Sequence, residues 1–441
     1  MSPHMSSVSR NPSPRVLYVN ASAGLGGAER VLLGLLKACG SAFPDAEITL
    51  ILFEDGPLRE LAEPLVGEVI IVPLPERWAQ LGDGGRSGSS WMSRVSFWTR
   101  QFSSGTFSLW KWGRDFRRRV AKLRPEILHS NGIKAHLLTS LARPRGCSLV
   151  WHLHDFVGER RLAKRLLQVA AKRLTLGLAI SEAVKADFEQ SIGKQRVEVL
   201  FNTVDTERFV PQGGDEVRTR LVELSGAEGP ADDSVVFVGL IATYANWKGH
   251  FLFLDAIAQC QHRAPEQNAC YFIIGGPIYR TENSQVTREE LHQHAAALGI
   301  QDKVNFVPFQ DAMPDVYAGL DVVVHASIRP EPFGLAIVEG MACGKGVIST
   351  ALGGAAEIFE DGVEGIALSS CDVNALAAAL EKVVGDSKLR ADLGKNARGA
   401  VVERFDQRQL PVRLLATYTR LLVAGDLSSS ELDYCSATQG E

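Results

Sequence analysis

Two glutamates eight positions apart are the residues of this chain whose types and spacing point most directly to chemistry. Glu331 and Glu339 lie in HASIRPEPFGLAIVEGMACGKGVIS, a segment that ends an apolar strand pattern and opens a helix. A strand that turns through Gly334 into a helix N-terminus attracts anions, so two carboxylates at that point are unexpected. Because ionised carboxylates only accept hydrogen bonds, their natural partners are vicinal hydroxyl groups. A ligand with both hydroxyl groups and a diphosphate, such as a sugar nucleotide, would satisfy both features.

The residues around Glu331 give this turn its expected shape. Pro332 biases Glu331 away from helical dihedral angles, which places that glutamate on the extended arm of the turn. Gly334 permits close approach of a ligand to the backbone, and the N–H groups of Phe333 to Leu335 are offered at the helix start. An ordinary alternative remains open, in which one glutamate is a surface acid and the other only stabilises the helix dipole.

A glycine-rich turn follows the first strand pattern of the chain. Its sequence is SAGLGGAERVLLGLL from Ser22, and Gly26 and Gly27 would let backbone N–H groups approach a phosphate at the helix start. The dinucleotide-binding pattern fails, because Glu29 occupies the position of the third glycine after Gly24 and Gly26. No GKS or GKT follows, so the turn is not a Walker A loop either. The pattern excludes an NAD(P) oxidoreductase and leaves a phosphate site or a tight strand–helix turn.

A lysine stands in the corresponding loop of the second half. Lys248 lies in GLIATYANWKGH (239–250), near the carboxyl end of a predicted strand, where open α/β sheets bind ligands. Beside a glycine in such a loop it is a candidate for phosphate binding. A solvated surface lysine is the alternative.

Strand-like and helix-like stretches alternate through both halves of the chain, which indicates parallel sheets. A polar region rich in glycine and acids over 211–233 separates the two series. We therefore predict an α/β fold with two Rossmann-like domains and a junction near 203–233. The predicted strands are 15–20, 47–53, 68–74, 126–130, 148–154, 176–181 and 197–202 in the first half, and 234–241, 269–276, 303–309, 321–327 and 346–354 in the second.

The predicted domain boundaries follow from these two series. Residues 1–14 lack an apolar stretch and are expected to form a disordered tail rather than a signal peptide. The first domain is predicted over 15–205 and the second over 206–406. A last helix, predicted over 407–425, is expected to pack back across the junction, and 426–441 is expected to be a flexible tail.

Composition and charge narrow the class of protein. A chain of 441 residues is long for one hydrophobic core, and 45% hydrophobic with 22% charged residues is typical of soluble globular proteins. The seven cysteines form no CxxC pair, so neither a disulfide framework nor a structural zinc site is indicated, and a cytoplasmic location is expected.

The two halves of the chain differ in charge. Residues 1–205 carry 28 Lys and Arg against 19 Asp and Glu, a net charge of +9, and the remainder carries a net charge of −13. This asymmetry favours an anionic partner for the first half. We expect no nucleic-acid partner.

Two basic stretches of the first half are candidates for contact with a membrane. Residues 82–120 interleave aromatic with basic side chains, and RRLAKRLLQVAAKRL (160–174) has the pattern of a basic amphipathic helix. Both compositions suit a membrane interface or a lipid-linked anionic acceptor. The alternatives are an insertion that packs its aromatic side chains inward and an ordinary surface helix. Peripheral attachment to the inner face of the cell membrane is therefore one of two interpretations.

Taken together, these segments resemble the retaining GT-B glycosyltransferases of family 4. The segment EPFGLAIVEGMACGKGVISTALGGAAEI is similar to the region of that family with two glutamates eight positions apart. The segments GGAERVLLGLL, HSNGIKAHLL, VWHLHDF, AISEAV, VLFNTVDTERF and WKGH also occur in the expected order. The resemblance covers nearly the whole chain from Arg15. It implies an N-terminal acceptor domain and a C-terminal nucleotide-sugar donor domain, whose parallel sheets face each other across a cleft.

The resemblance also implies a reaction and roles for single residues. A sugar would move, with retention at the anomeric carbon, from a nucleoside-diphosphate sugar to a glycan or lipid-linked acceptor, without a metal or other cofactor. Such an enzyme would serve exopolysaccharide or glycolipid biosynthesis. By motif match, the implied catalytic residues are Glu331, His154 and Lys248; the implied donor-binding residues are Gly26, Gly27, Lys248, Glu331, Phe333, Gly334, Leu335 and Glu339; and the acceptor-side residues, on weaker matches, are His129 and Asn131.

One departure from the family pattern bears on the diphosphate. Many members carry an arginine five or six residues before the lysine, where this chain has Ala242 and Thr243. Arg280 is a conceivable substitute by its place in the sequence. The departure keeps a second interpretation open, in which a catalytically weak protein of this fold binds nucleotide sugar as a regulator or partner.

Overall fold

Two parallel β-sheets, one in each half of the chain, form the frame of the protein. The computed structural model describes residues 13–75, 105–226, 234–277 and 285–437. The strands of the first sheet are β1 (Arg15–Asn20), β2 (Glu47–Leu52), β3 (Glu68–Ile71), β4 (Ile127–Asn131), β5 (Ser148–Leu153), β6 (Leu176–Ala179) and β7 (Val197–Val199). Those of the second are β8 (Val236–Ile241), β9 (Ala269–Ile274), β10 (Val304–Val307), β11 (Val322–His325), β12 (Gly346–Ser349) and β13 (Ile366–Ala367).

Helices connect the strands and cover the sheets. Crossovers between parallel strands require such helices, because the chain must return to the starting edge of the sheet. The α-helices among the described residues are α1 (Gly27–Ala42), α2 (Pro57–Ala62), α3 (Gly105–Leu123), α4 (Ile133–Ala142), α5 (Arg161–Ala170), α6 (Glu182–Ile192), α7 (Asp215–Ser225), α8 (His250–Arg263), α9 (Arg288–Ala297), α10 (Met313–Gly319), α11 (Leu335–Ala342), α12 (Val373–Gly385), α13 (Ser387–Arg404) and α14 (Leu410–Ala437).

The strand order is that of two doubly wound sheets. The first runs β3-β2-β1-β4-β5-β6-β7 and the second β10-β9-β8-β11-β12-β13, and every neighbouring pair is parallel. All six residues of β5 are buried, as expected for a strand covered on both faces. The predicted α/β fold with two Rossmann-like parallel sheets is confirmed. In such sheets ligands bind beyond the carboxyl ends of the strands, which is where the predicted site residues lie.

Three elements differ from the sequence-based prediction. The polar region over 211–233 contains α7, whose first turn carries Asp215 and Glu216 and whose Leu221 is buried. Its acidic composition concealed an apolar face that packs against α10. The helix predicted to end at 425 continues to Ala437, because its one proline lies in the first turn and the single glycine, Gly425, is tolerated. Strand β13 was not predicted, because two residues are too few for a periodic pattern.

The chain crosses between the two halves twice, and the crossings are hydrogen-bonded to each other. Val204 N donates to Phe405 O at 2.9 Å, and Gln407 N donates to Val204 O at 2.9 Å. Thr206 Oγ1 donates to Asp406 Oδ2 at 2.8 Å. The result is a two-stranded connection at one side of the cleft.

Helix α14 returns from this connection to the first sheet. Leu414 and Tyr418 are buried in the same apolar cluster as Tyr18 of β1. The Tyr418 hydroxyl lies 2.9 Å from the Tyr18 hydroxyl and 2.7 Å from His129 Nδ1. The last described helix therefore completes the core of the domain that the first strand begins.

Removal of the bridging hydroxyl should destabilise the protein. Tyr418→Phe keeps the ring but leaves His129 Nδ1 without this partner in a buried environment. We expect the free energy of unfolding to fall by about 1–3 kcal/mol. Urea unfolding measures the change, and Val412→Ala, an exposed position on the same helix, serves as the control with a change below about 0.5 kcal/mol. Equal effects of the two substitutions would contradict the prediction.

Among the described helices, none combines the length and apolar character needed to cross a membrane. The predicted aromatic insertion over 82–120 is described only from 105 onward, where it forms most of α3. The remainder of that insertion, and Arg280, lie outside the described residues.

Candidate active site

Lys248 and Glu331 form an ion pair at the carboxyl edge of the second sheet. Lys248 Nζ donates to Glu331 Oε2 at 2.7 Å, and the two side chains are only 16% and 12% exposed. The same oxygen accepts from Ser327 Oγ at 3.0 Å and lies 3.3 Å from His325 Nε2. Two residues predicted from separate loops are therefore in direct contact.

The charge state of Glu331 follows from these contacts. Burial opposes its ionisation, but Lys248 and His325 outweigh that effect and lower the pKa of the carboxyl to about 2. The group is an anion at neutral pH and can only accept hydrogen bonds. Because little water surrounds it, its charge acts more strongly on a bound ligand than it would in water.

A tight turn holds Lys248 in place. Residues Asn246–Lys248 form a short 3-10 helix, and Gly249 follows with φ of +76°. A Cβ atom on Gly249 would lie 1.8 Å from the carbonyl oxygen of Ala326, just beyond β11. The ammonium group also lies 4.0 Å from the centre of the Trp247 ring, within range of a cation–π interaction. The turn is therefore pressed against the strand end that leads to Glu331.

Glu339, on the second turn of α11, has different partners from Glu331. Tyr317 Oη donates a hydrogen bond to Glu339 Oε2 at 2.8 Å. Burial raises the pKa of the Glu339 carboxyl, and the Tyr317 hydrogen bond and the guanidinium groups of Arg30 and Arg208 oppose part of the rise. The two glutamates therefore occupy separate microenvironments, one paired with an ammonium group and the other with a phenol.

The start of α11 lies opposite the glycine-rich turn that begins α1. Gly334 has φ of +120°, which favours glycine, and it precedes the first helical residue. Within the described part of the chain, no protein group accepts a hydrogen bond from the backbone N–H of Phe333 or Gly334. A Cβ atom on Gly27 would lie 3.3 Å from Leu335 Cδ1, so the two helix starts meet across the cleft. Together with Lys248, they bound a region that favours anions.

The Phe333 side chain has a separate role from its backbone. Its ring is buried, with centroids 5.7 Å from Phe405 and 6.3 Å from Phe201. These contacts anchor the turn before α11 on the connection between the two halves.

A cavity of about 450 Å³ opens beside this region, beyond the ends of β8, β9 and β10. Its volume is in the range of small-molecule sites. Glycines and prolines make up half of its wall, so a ligand can approach the backbone closely. It is lined by Leu25, Tyr244, Gly275, Gly276, Pro277, Arg288, Pro308 and Phe309.

Histidines of the first domain form a row at the carboxyl ends of β4 and β5. The ring centroids of His152 and His154 are 4.1 Å apart, and those of His129 and His152 are 5.5 Å apart. His154 is the one member that is partly exposed, and its Nε2 has no hydrogen-bond partner among the described residues. Its position at the strand end suits contact with a ligand from the acceptor side, although no described contact joins it to Glu331 or Lys248.

The two weaker acceptor-side candidates have internal partners. His129 is fully buried against Tyr418, and Asn131 Nδ2 donates to Asn20 Oδ1 at 2.9 Å. Through these hydrogen bonds they hold β1, β4 and α14 together. Their predicted role toward the acceptor stays a prediction.

Stability should fall when the pH drops from about 6.5 toward 4. Burial lowers the pKa of His129 and of His154 to about 3, below that of a histidine in an unfolded chain. In this window the unfolded chain binds protons that the folded chain does not, so stability present above the window is lost on acidification. A fully buried histidine such as His129 contributes about 1.4 kcal/mol per pH unit. Urea unfolding at a series of pH values measures the slope.

A matched pair of variants tests the origin of this slope. His152 is buried and its pKa is well below that of an exposed histidine, so His152→Phe should make the slope shallower. His262 is exposed, and His262→Gln should leave the slope unchanged. A stability that is flat across the window would contradict the assignment of buried neutral histidines.

Sequence reasoning missed several residues that complete the site. Ser327 and His325 stand in the same segment as Glu331, and their place at a strand end could have flagged them. Arg30 follows the glycine-rich turn by one helical turn, and its Nη2 lies 3.8 Å from Asp311 Oδ1 of the second domain. No sequence signal singled out Tyr317. Within the described residues, no group of three or more His, Cys, Asp or Glu is arranged to hold a metal ion.

The two halves of the chain match two family models. Residues 25–208 match the model described as "Glycosyltransferase Family 4", and residues 227–400 match "Glycosyl transferases group 1". The chain belongs to glycosyltransferase family 4. The resemblance seen in the sequence is therefore confirmed for both halves of this family member.

Solved structures agree with this assignment and show the GT-B fold. HepE of Anabaena, solved in complex with UDP and glucose, is 25% identical, with a TM-score of 0.73 over 92% of this chain and 99% of that one. Sucrose-phosphate synthase of Thermosynechococcus elongatus, at 17% identity and a TM-score of 0.70 over 93% of this chain and 100% of that one, shares the fold.

Curated relatives match over a shorter length. D-inositol 3-phosphate glycosyltransferase of Salinispora arenicola is 32% identical over 247 residues, which are 55% of this chain and 53% of the relative. The protein of that name from Salinispora tropica is 34% identical over 46% of this chain and 42% of the relative. The chain thus spans about half the length of the first curated relatives it matches.

Proposed function

We propose that the protein is a retaining glycosyltransferase that moves a sugar from a nucleoside-diphosphate sugar to a hydroxyl group of a glycan or lipid-linked acceptor, in exopolysaccharide or glycolipid biosynthesis. The observation that carries this proposal is the Lys248–Glu331 ion pair beside the start of α11. A fixed anion and a fixed cation thus lie beside the backbone N–H groups of Phe333 and Gly334, which donate to no acceptor among the described residues. A sugar diphosphate has the complementary set of hydroxyl donors and phosphate acceptors.

The cavity beyond β8 to β10 would hold the nucleoside of the donor. Tyr244 and Arg288 supply hydrogen-bond donors on its wall, and the carbonyl groups of a base accept them. Because HepE was solved with UDP and with UDP-glucose, a uridine nucleotide is the first candidate. Glu339, on the neighbouring helix, would accept hydrogen bonds from the ribose hydroxyls.

The reaction needs charge stabilisation on the departing diphosphate. The bond between the anomeric carbon and the phosphate oxygen breaks, the acceptor oxygen bonds to that carbon on the same face, and the acceptor proton passes to the departing phosphate. Lys248 and the N–H groups at Gly334 and Leu335 would stabilise the negative charge that develops there. Glu331 would hold the sugar hydroxyls, and His154 would contact the acceptor side of the sugar.

Arg30 would replace the arginine that many family members carry at the position occupied here by Ala242 and Thr243. It lies on the first turn of α1, one helical turn beyond the Gly26–Gly27 turn, and its charge acts on Glu339. With Lys248 it would supply the positive charge that other glycosyltransferases draw from a metal. We therefore expect transfer to continue in the presence of EDTA.

The second candidate is a protein of the same fold that binds nucleotide sugar as a regulator or partner without transferring the sugar. The observation that favours it is the pair Ala242–Thr243, since a weaker diphosphate clamp lowers the rate more than it lowers affinity for the nucleoside. Both candidates predict donor binding. Only the first predicts a glycosylated product.

A thermal-shift panel of UDP-, GDP- and ADP-sugars is the first test. A donor at about 100 times its Kd adds about 2.7 kcal/mol of stability. We expect one nucleotide to raise the melting temperature of the wild type but not that of Glu339→Gln. Glu364→Gln changes a partly buried glutamate that pairs with Arg404 and is not one of the predicted site residues; it is the matched control and should respond as the wild type does.

Product analysis separates the two candidates. The stabilising donor, with a radiolabelled sugar, is incubated with glycan and lipid extracts in the presence and absence of EDTA. A labelled product that forms in EDTA supports a metal-independent transferase. Donor binding without any product from either extract would favour the regulatory protein, and no binding by any donor would contradict both.

A further inference from the structure

Helix α5 has a second apolar face that the protein core does not cover. Leu167 is buried, whereas Leu162, Leu166 and Val169 are 62%, 49% and 68% exposed. At 3.6 residues per turn these three side chains lie within about 60° of one another around the helix axis. The core covers a different side of the same helix. A helix of ten residues thus carries two apolar stripes, of which one is in contact with solvent.

Basic side chains flank the exposed stripe. Residues 160–174 contain six Lys or Arg and no Asp or Glu. Arg161 and Arg165 lie on the side of the stripe away from the core, and both are exposed. Long basic side chains beside an apolar stripe can extend their charged ends past it into a polar boundary layer. The helix therefore combines apolar burial with positive charge on one surface.

Two neighbouring helices also expose apolar side chains. Helix α4 packs between α5 and α3, and it exposes Leu141 to 67%. Helix α3 exposes Trp110 to 59%, with Arg114 above its ring. Over 105–174 the chain carries sixteen Lys and Arg against four Asp and Glu, a net formal charge of +12. Most of the positive charge of the first half is therefore concentrated in the segment that contains α3, α4 and α5.

We propose that the exposed apolar and basic side chains of α3, α4 and α5 dock the protein on an anionic lipid bilayer, with Leu162, Leu166 and Val169 of α5 as the main apolar contacts. A straight apolar stripe flanked by Lys and Arg matches the boundary of an anionic bilayer, which takes up apolar side chains beneath a negatively charged surface. Each Lys or Arg near an anionic bilayer contributes about 1 kcal/mol. Helix α5 begins seven residues after His154, so at most about 25 Å of chain separates the proposed docking helix from that histidine.

Vesicle sedimentation tests this surface and does not depend on the proposed transfer reaction. The probes are phosphatidylcholine vesicles with and without about one third phosphatidylglycerol. We expect the wild type to bind the anionic vesicles at least about tenfold more tightly than the neutral ones, with weaker binding at high salt. The triple variants Leu162→Ser/Leu166→Ser/Val169→Ser and Arg161→Gln/Lys164→Gln/Arg165→Gln should each lose about tenfold or more.

A control variant and a second measurement keep the test decisive. Val412→Ser/Val423→Ser removes two comparably exposed apolar side chains from α14 and should bind vesicles as the wild type does. All variants should keep the thermal stabilisation by nucleotide, which shows that they are folded. Equal vesicle binding by the wild type and the apolar triple variant would overturn the proposal. So would a dimer in sedimentation velocity that the triple variant abolishes while vesicles do not bind, because a second copy would then cover the stripe.

Discussion

Glu331→Gln is expected to lower the turnover number for sugar transfer about 100- to 1000-fold while the protein remains folded. Glutamine has the same shape but cannot carry the negative charge that Lys248 and His325 stabilise, with a pKa of about 2. Its amide also donates hydrogen bonds, so half of the side chain presents the wrong group to a sugar hydroxyl. The measurement is the release of nucleoside diphosphate in the presence of acceptor, with kcat and KM determined separately.

The control for this prediction is a glutamate with similar exposure in another ion pair. Glu364 is 16% exposed and pairs with Arg404, and neither is a predicted site residue, so Glu364→Gln should keep nearly full activity. Binding of the nucleoside diphosphate of the stabilising donor, without its sugar, should be similar for all three proteins. If Glu331→Gln stayed within about threefold of the wild type in kcat/KM, Glu331 would have no role in the transition state.

Gly249→Ala is expected to be the most destabilising single substitution in the site. The added Cβ would lie 1.8 Å from Ala326 O, a backbone atom that cannot move without shifting the end of β11. In addition, φ of +76° strains any residue with a side chain. We expect the free energy of unfolding to fall by about 4 kcal/mol or more, or the protein to fail to fold. Urea unfolding and the yield of soluble protein measure the effect.

A second glycine separates steric overlap from backbone strain. Gly299 has φ of +70°, but a Cβ atom there would meet nothing within 4 Å. Gly299→Ala should therefore cost only the strain of the left-handed conformation, about 1–2 kcal/mol. The difference between the losses of unfolding free energy in the two variants measures the steric overlap caused by the close approach of the Lys248 turn to β11. If the two costs were equal, that approach would not be a feature of the folded protein in solution.

The fold could be predicted from the sequence because its central strands are apolar along their whole length. A strand such as β5, buried on both faces, forms a continuous apolar run that is easy to locate. Glycines then mark the turns at which such strands end, and ligands bind at those ends. Glu331 and Lys248 could be identified for the same reason, since each follows the carboxyl end of a clear strand.

The partners of these residues could not be predicted in the same way. The Lys248–Glu331 contact joins residues 83 positions apart, and local pattern gives no distance between two loops. Tyr317 lies on α10 and Glu339 on α11, and only the packing of these helices brings the Tyr317 hydroxyl to Glu339. Arg30 is part of a segment that was considered for its glycines, so its charge was not weighed against the second domain. Helix α7 was concealed because composition was considered there instead of periodicity.

The contact between Tyr18 and Tyr418 has a consequence for biosynthesis. These residues are 400 positions apart, yet they share one hydrogen bond in the core of one domain. At about 5–20 residues per second, a ribosome needs roughly 20 to 80 seconds to make the chain between them. During that time β1 and its neighbours lack the helix that covers them, and their apolar surface is open to chaperones and to other nascent chains. The domain that is translated first is thus completed last. The yield of folded protein should therefore depend on chaperones that cover the apolar surface of the first domain until α14 has been synthesised.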